Sequence, residues 1–377
     1  MPNDPIYLDH SATTPLAPEV REAMLPWLGE HFGNPGSLHR QGREAREAIE
    51  NARVQVASLI GADPAALVFT GSGTEASNLA ILGAGSGGRI AVGATEHHAV
   101  LEPARMLEVN GRARVHVLPV NADGVVETEV LQDTVAAGVR LLSIMAVNNE
   151  TGVMADTAAI GALCRERGAL YHTDAVQALS CCELNVEQLS VDLLTLSAHK
   201  INGPKGIGAC YVRPGVKLDP LVTGGGQEGG LRAGTENVAA IVGFGRACER
   251  LREARTERAA HVLQLRTQME AQLLARIDGC WINGAAAPRA PHITSLGLKG
   301  MDGEMLLYAL DAAGIAVSRG AACASGSPAP SHVLLAMGQD YPTAQAAIRI
   351  SLSWMNTTAE VERFVSQLVD IVIRLRA

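Results

Sequence analysis

Seven short apolar runs, separated by stretches with helical spacing, constrain this chain more than any other feature. They cover residues 67–69, 90–92, 115–118, 141–147, 170–172, 193–196 and 209–212. Runs this short, bounded by polar turns, suit strands buried on both faces, and a helical return lets successive strands lie parallel. The pattern predicts an α/β fold with a mostly parallel seven-stranded sheet. Helices are expected from Pro18 through Leu28, with proline at the first position, and over 44–60 and 76–82.

A charge-rich stretch over 241–265 reads as one long helix linking two bodies, and 293–298 and 348–352 read as strands of a smaller α/β unit. We therefore expect a large domain over 15–250. A small one would combine 1–14 with 251–377. With 377 residues, 47% of them hydrophobic, the chain can fill both cores. A net charge of −8 without a basic stripe argues against nucleic acid as a partner. Seven cysteines form neither an even disulfide set nor paired C-x-x-C arms, so no metal site is expected and a reducing cytoplasm is. Met1-Pro2-Asn3-Asp4-Pro5 lacks an apolar signal core, and no apolar run would span a bilayer, so no membrane role is expected.

The chemistry concentrates where apolar runs end. Lys200 follows the run 193–196 within Ser197-Ala198-His199-Lys200, and Asp174 follows 170–172. The 26 positions between them leave room for one return to a neighbouring strand. A lysine with a carboxylate is what pyridoxal phosphate needs: one holds it as a Schiff base, the other keeps its ring nitrogen protonated. Thr70-Gly71-Ser72-Gly73-Thr74-Glu75 lies between a strand and a helix, where small residues let backbone N–H groups approach an anion. The turn lacks the lysine of a P-loop and the spacing of a dinucleotide fingerprint.

Together with Gly203-Pro204-Lys205-Gly206, Thr95-Glu96-His97, Asn148-Asn149-Glu150-Thr151-Gly152 and Gly224-Gly225-Gly226-Gln227-Glu228, these segments resemble the cysteine desulfurases of the NifS/IscS type. The resemblance runs nearly the whole length of the chain. It implies a pyridoxal-phosphate-dependent transferase of fold type I, with Lys200 binding the cofactor and Asp174 facing its ring nitrogen. By the same likeness Gln177 would donate to the ring oxygen and His97 would stack on the ring. Gly73, Thr74, Ser197 and His199 would hold the phosphate, and Asn149 would sit beside cofactor and substrate. Thr235 would reach the cofactor of the other subunit of a homodimer. The catalytic set would be Lys200, Cys323 and His97, the last taking a proton from the substrate thiol.

Cys323 stands in Ser318-Arg319-Gly320-Ala321-Ala322-Cys323-Ala324-Ser325-Gly326-Ser327, among small residues, as an accessible nucleophilic thiol requires. The segment resembles the catalytic-cysteine stretch of the family, with alanine where serine is common. Arg349, central to an apolar strand pattern, needs an anion, and the resemblance supplies the substrate carboxylate. The implied activity converts L-cysteine to L-alanine and leaves sulfur on Cys323 as a persulfide for an acceptor protein, in iron–sulfur assembly or another sulfuration. A selenocysteine lyase or another enzyme of the same cofactor class is the alternative. The other cysteines read as packing residues, including the adjacent Cys181 and Cys182.

Overall fold

The computed structural model describes residues 5–320 and 330–376. The chain opens with β1 (Ile6–Tyr7), α1 (Pro18–Met24), α2 (Arg40–Leu59), β2 (Leu67–Thr70), α3 (Gly73–Gly85), β3 (Gly88–Gly93), α4 (His98–Val109) and β4 (Ala113–Leu118). It continues through α5 (Thr128–Ala136), β5 (Leu141–Ser143), α6 (Thr157–Arg167), β6 (Leu170–Asp174), β7 (Leu193–Ser197), β8 (Gly208–Val212) and α7 (Val238–Arg276). After these come β9 (Cys280–Ile282), β10 (Ile293–Leu298), α8 (Gly303–Ala312), β11 (Ile315–Ala316), α9 (His332–Ala336), α10 (Tyr341–Gln345), β12 (Ala347–Ser351) and α11 (Thr358–Arg376).

The seven expected runs are the seven strands of one sheet, ordered β2-β8-β7-β6-β5-β3-β4. Its pairs are parallel except where β8 meets β2 and β7. One boundary differs. The run 141–147 is strand only to Ser143, because its neighbour β3 ends at Gly93. Beyond that point Ile144 and Ala146 still donate to His172 and Asp174 of β6, but the Met145 N–H turns to the Glu96 carboxylate instead. The first helix also ends early, at Met24. Leu25–Leu28 tightens into a 3-10 turn around Pro26, whose missing N–H cannot continue the ladder.

Helix α7 is 39 residues long, and its two halves belong to different cores. Ile241, Phe244 and Leu251 pack against the large sheet, whereas Val262, Leu265, Met269 and Leu273 pack with Leu296, Ile350 and Phe364. The second core is backed by the antiparallel sheet β12-β10-β9. Ile6 and Leu8 also enter it, since β1 pairs with β11 and Ser351 of β12 donates its N–H to the Leu8 carbonyl. Among the described residues no helix is long and apolar enough to cross a membrane.

Candidate active site

Because most strands run the same way, the segments leaving β2, β3, β5, β6 and β7 gather at one edge of the sheet, where open α/β sheets place their ligands. There they enclose a cavity of about 440 Å³. Lys200 reaches it from the 3-10 turn Ala198–Lys200 that closes β7. Its Nζ donates to the carbonyls of Ser11 (2.5 Å) and Ala12 (2.7 Å). Asp174 ends β6, the parallel neighbour of β7, and also lines the cavity. Burial raises its pKa to about 6, against the Val176 N–H that binds Oδ1 at 2.9 Å and the charge of Lys200. A carboxylate so placed is short of a cationic partner.

The turn after β2 provides the opposite sign. Ser72 caps α3, its Oγ accepting from the Glu75 N–H at 3.1 Å, and Gly73 and Thr74 open the helix at the cavity wall. A Cβ on Gly73 would stand 3.2 Å from both Ser197 Cβ and Val176 Cγ2. Beneath the turn lies Gly208 of β8, where a Cβ would come 2.5 Å from the Ser72 carbonyl carbon and 2.8 Å from the Gly73 nitrogen. Only glycine lets the strand pass so close. Ser197 and His199 complete this wall; His199 Nδ1 lies 3.1 Å from Thr13 Oγ1. Burial and the nearby Lys200 hold the imidazole down at about 4.

His97 is the N-cap of α4, its Nδ1 accepting from the Ala99 N–H at 3.0 Å. That bond puts the ring proton on Nε2, so His97 is disposed to donate there, and to take a proton it must change tautomer. Burial, then Lys200, hold it at about 4. Gln177 donates from Nε2 to the Ser11 carbonyl at 2.9 Å, which leaves its second amide proton for another acceptor.

Arg349 of β12 is 2% exposed and lines the same cavity. Nη2 donates to Asp9 Oδ1 at 2.7 Å and Nη1 to the carbonyls of Asn149 (2.9 Å) and Gly320 (3.0 Å). The anion that a buried arginine demands is thus partly internal, while its Nε remains buried without a partner. Asn149 itself faces the cavity. Thr235 does not line it and is exposed, in the loop before α7. Cys323 lies outside the described residues. Among the described residues no group of His, Cys, Asp or Glu could hold a metal ion.

Sequence reasoning overlooked the stretch 9–14. It supplies both carbonyls under Lys200, the carboxylate on Arg349 and the hydroxyl beside His199. A run of small polar residues directly after Tyr7-Leu8 was the available signal. His332 also lines the cavity; its Nε2 donates to the Glu96 carbonyl at 3.0 Å, and its ring lies against His98, 4.6 Å between centroids and tilted by 43°.

A sequence profile of the aminotransferase class-V family matches residues 6–364. This chain is a member of that family. Within it, the chain falls among the cysteine desulfurases. The cysteine desulfurase of Trichormus azollae is 45% identical over 99% of this chain and 94% of its own length. A solved NifS-like protein superposes with a TM-score of 0.91 at 36% identity, covering 98% of this chain and 100% of its own. SspA, solved in complex with cysteine, superposes at 0.82 with 32% identity, covering 93% of this chain and 100% of its own. The class-V framework accounts for the fold-type-I sheet order and for a site at the strand tips.

Proposed function

We propose that this class-V member is a cysteine desulfurase that works with pyridoxal phosphate, converting L-cysteine to L-alanine and passing the sulfur to Cys323. The observation that carries the reading is the convergence of Lys200, Asp174 and the N-terminus of α3 on one cavity. A primary amine, an under-compensated buried carboxylate and an anion cradle are the three groups that a pyridine aldehyde phosphate calls for. The 440 Å³ volume suits such a molecule.

Lys200 would hold the cofactor, Asp174 its ring nitrogen and Gln177 its ring oxygen. His97 would lie on the ring face, and Gly73, Thr74, Ser197 and His199 would hold the phosphate. When bound, the cofactor supplies an electron sink for charge developing at the substrate α-carbon. Arg349, with its unused Nε, and Asn149 hold the cysteine carboxylate and so fix which bond at the α-carbon faces Lys200. Lys200 takes the α-proton at Nζ and later returns one. The Cys323 thiolate attacks the substrate sulfur; an S–S bond forms as the C–S bond breaks, and the bonding pair stays with the carbon fragment that leaves as alanine.

We assign 15–250 to the cofactor-holding body and 1–14 with 251–377 to the body bearing Cys323 and Arg349, supported by the change of core along α7. The enzyme would act as a homodimer, with Thr235 directed at the other subunit's phosphate. An acceptor protein would collect the persulfide. The test is brief exposure of the purified holoenzyme to cysteine followed by mass spectrometry. A sulfur adduct is expected on Cys323, and Cys323→Ala should lose sulfide release while keeping its cofactor. Sulfide release surviving in that variant would overturn the assignment.

A further inference from the structure

Lys200 and Gln177 also line a second, smaller cavity of about 50 Å³, together with Cys181, Arg258, His292 and Trp354 among others. Cys181 and its neighbour Cys182 have no place in the desulfurase chemistry above. Their sulfurs stand 3.6 Å apart, and both residues are half-buried rather than sealed in the core. The guanidinium of Arg255 on α7 acts electrostatically on both, and its Nη1 is buried without a hydrogen-bond partner. Cys164, Cys210 and Cys248 provide the contrast. All three are buried in apolar cores, and burial pushes the first two thiols up to about 12, which makes them inert.

We propose that Cys181 and Cys182 form a thiol-oxidation site that hydroperoxides convert to a vicinal disulfide. Cys182 is the attacking sulfur. The Cys181 thiol has the Gln177 and Ala178 carbonyls as acceptors at 3.8 and 3.7 Å, which hold its proton and leave it as the resolving thiol. Contact with Cys181, then the charge of Arg255, lowers the Cys182 pKa against the opposing effect of burial. In the first step the Cys182 thiolate displaces hydroxide from hydrogen peroxide, giving a sulfenic acid. In the second, the Cys181 sulfur attacks that sulfur, an S–S bond forms and water leaves with the Cys181 proton. Two thiols are oxidised, and one peroxide, with a proton from solvent, becomes two waters.

Bond formation draws the sulfurs from 3.6 Å to about 2.05 Å, which the turn carrying them must absorb. That turn is held by the Cys181 and Cys182 N–H groups on the Ala178 carbonyl, and Cys181 Sγ touches the Gln177 carbonyl at 3.8 Å. Gln177 in turn binds the Ser11 carbonyl, the acceptor of Lys200. Oxidation therefore bears on the seat of the lysine, a consequence that rests on the role given to Lys200 above.

The test uses holoenzyme carrying Cys323→Ala and Cys280→Ser, the latter because Cys280 is half-buried as well, so that no other accessible thiol competes and no cysteine turnover is needed. Its outcome is independent of the desulfurase reading. A few equivalents of hydrogen peroxide should remove two titratable thiols per chain. The peptide bearing both residues should become two hydrogens lighter and recover with dithiothreitol. With Cys181→Ser added, the reaction should stop at a sulfenic acid on Cys182 that dimedone traps. Arg255→Gln should slow the peroxide step about threefold to tenfold. An unreacted pair, sulfinic acid on Cys182 despite an intact Cys181, or a rate indifferent to Arg255 would overturn the proposal.

Discussion

Gly208→Ala tests the anion cradle without changing the identity of any residue that would contact the cofactor. The added carbon would lie 2.5 Å from the Ser72 carbonyl carbon, 2.7 Å from its oxygen and 2.8 Å from the Gly73 nitrogen. Ordinary contact needs about 3.5 Å, so roughly 1 Å must be found, and all three obstructing atoms are backbone. Strand β8 cannot give way, because Gly208 is registered between Thr70 of β2 and Ser197 of β7. The turn at Ser72-Gly73 must therefore lift, carrying the helix N-terminus with it. Overpacking of this kind costs about 1–3 kcal/mol, and a misplacement near 1 Å costs about a hundredfold in function. We expect pyridoxal phosphate affinity to fall by about 5- to 150-fold, measured by titrating the cofactor-free protein spectroscopically. Gly29→Ala is the control, because a Cβ there meets nothing within 4 Å and the backbone φ is −139°. Affinity within twofold of the parent, in a folded Gly208→Ala protein, would refute the placement of the phosphate at α3.

Arg349→Lys keeps the charge but loses the planar fork that serves Asp9 and two carbonyls at once, so KM for cysteine should rise about tenfold or more with a smaller change in kcat. Steady-state kinetics decide this, and an unchanged KM would contradict it. Stability should fall as pH drops from about 6.5 toward 4. Burial holds His10, His97 and His199 at about 4, and His172 and His292 at about 3, so the unfolded chain binds more protons throughout that window. Each imidazole contributes on the order of a few kcal/mol. Asp174, raised to about 6, works in the opposite direction over a narrower range. Urea midpoints that stay level between pH 7.5 and 5 would contradict this balance.

The fold was legible because the strands of the large sheet other than β4 are largely buried on both faces and therefore write short apolar runs. Leu193–Ser197, all buried, is one instance. Edge strand β4 carried a weaker alternating signal, yet Val115, Val117 and Leu118 sufficed to place it. The error at 141–147 has the same origin: apolar character persists through Val147, while strand pairing depends on where a neighbour ends. Within the site, residues of distinctive chemistry were readable singly, as with Lys200, Asp174 and Arg349. What could not be read was which backbone groups serve them. Carbonyls such as those of Ser11 and Asn149 exist at every position, and only the folded chain selects among them.

The seat of Lys200 has a consequence for how the protein comes into being. Its two carbonyls belong to a strip of chain synthesised almost 190 positions earlier, and that strip is held in place by Ser351 and Arg349 of β12. While the ribosome is still short of β12, the lysine has emerged but its platform is untethered. Cofactor capture should accordingly be a late event in biogenesis, and ribosome-bound chains ending before residue 347 should take up the vitamin poorly even with the central sheet already formed.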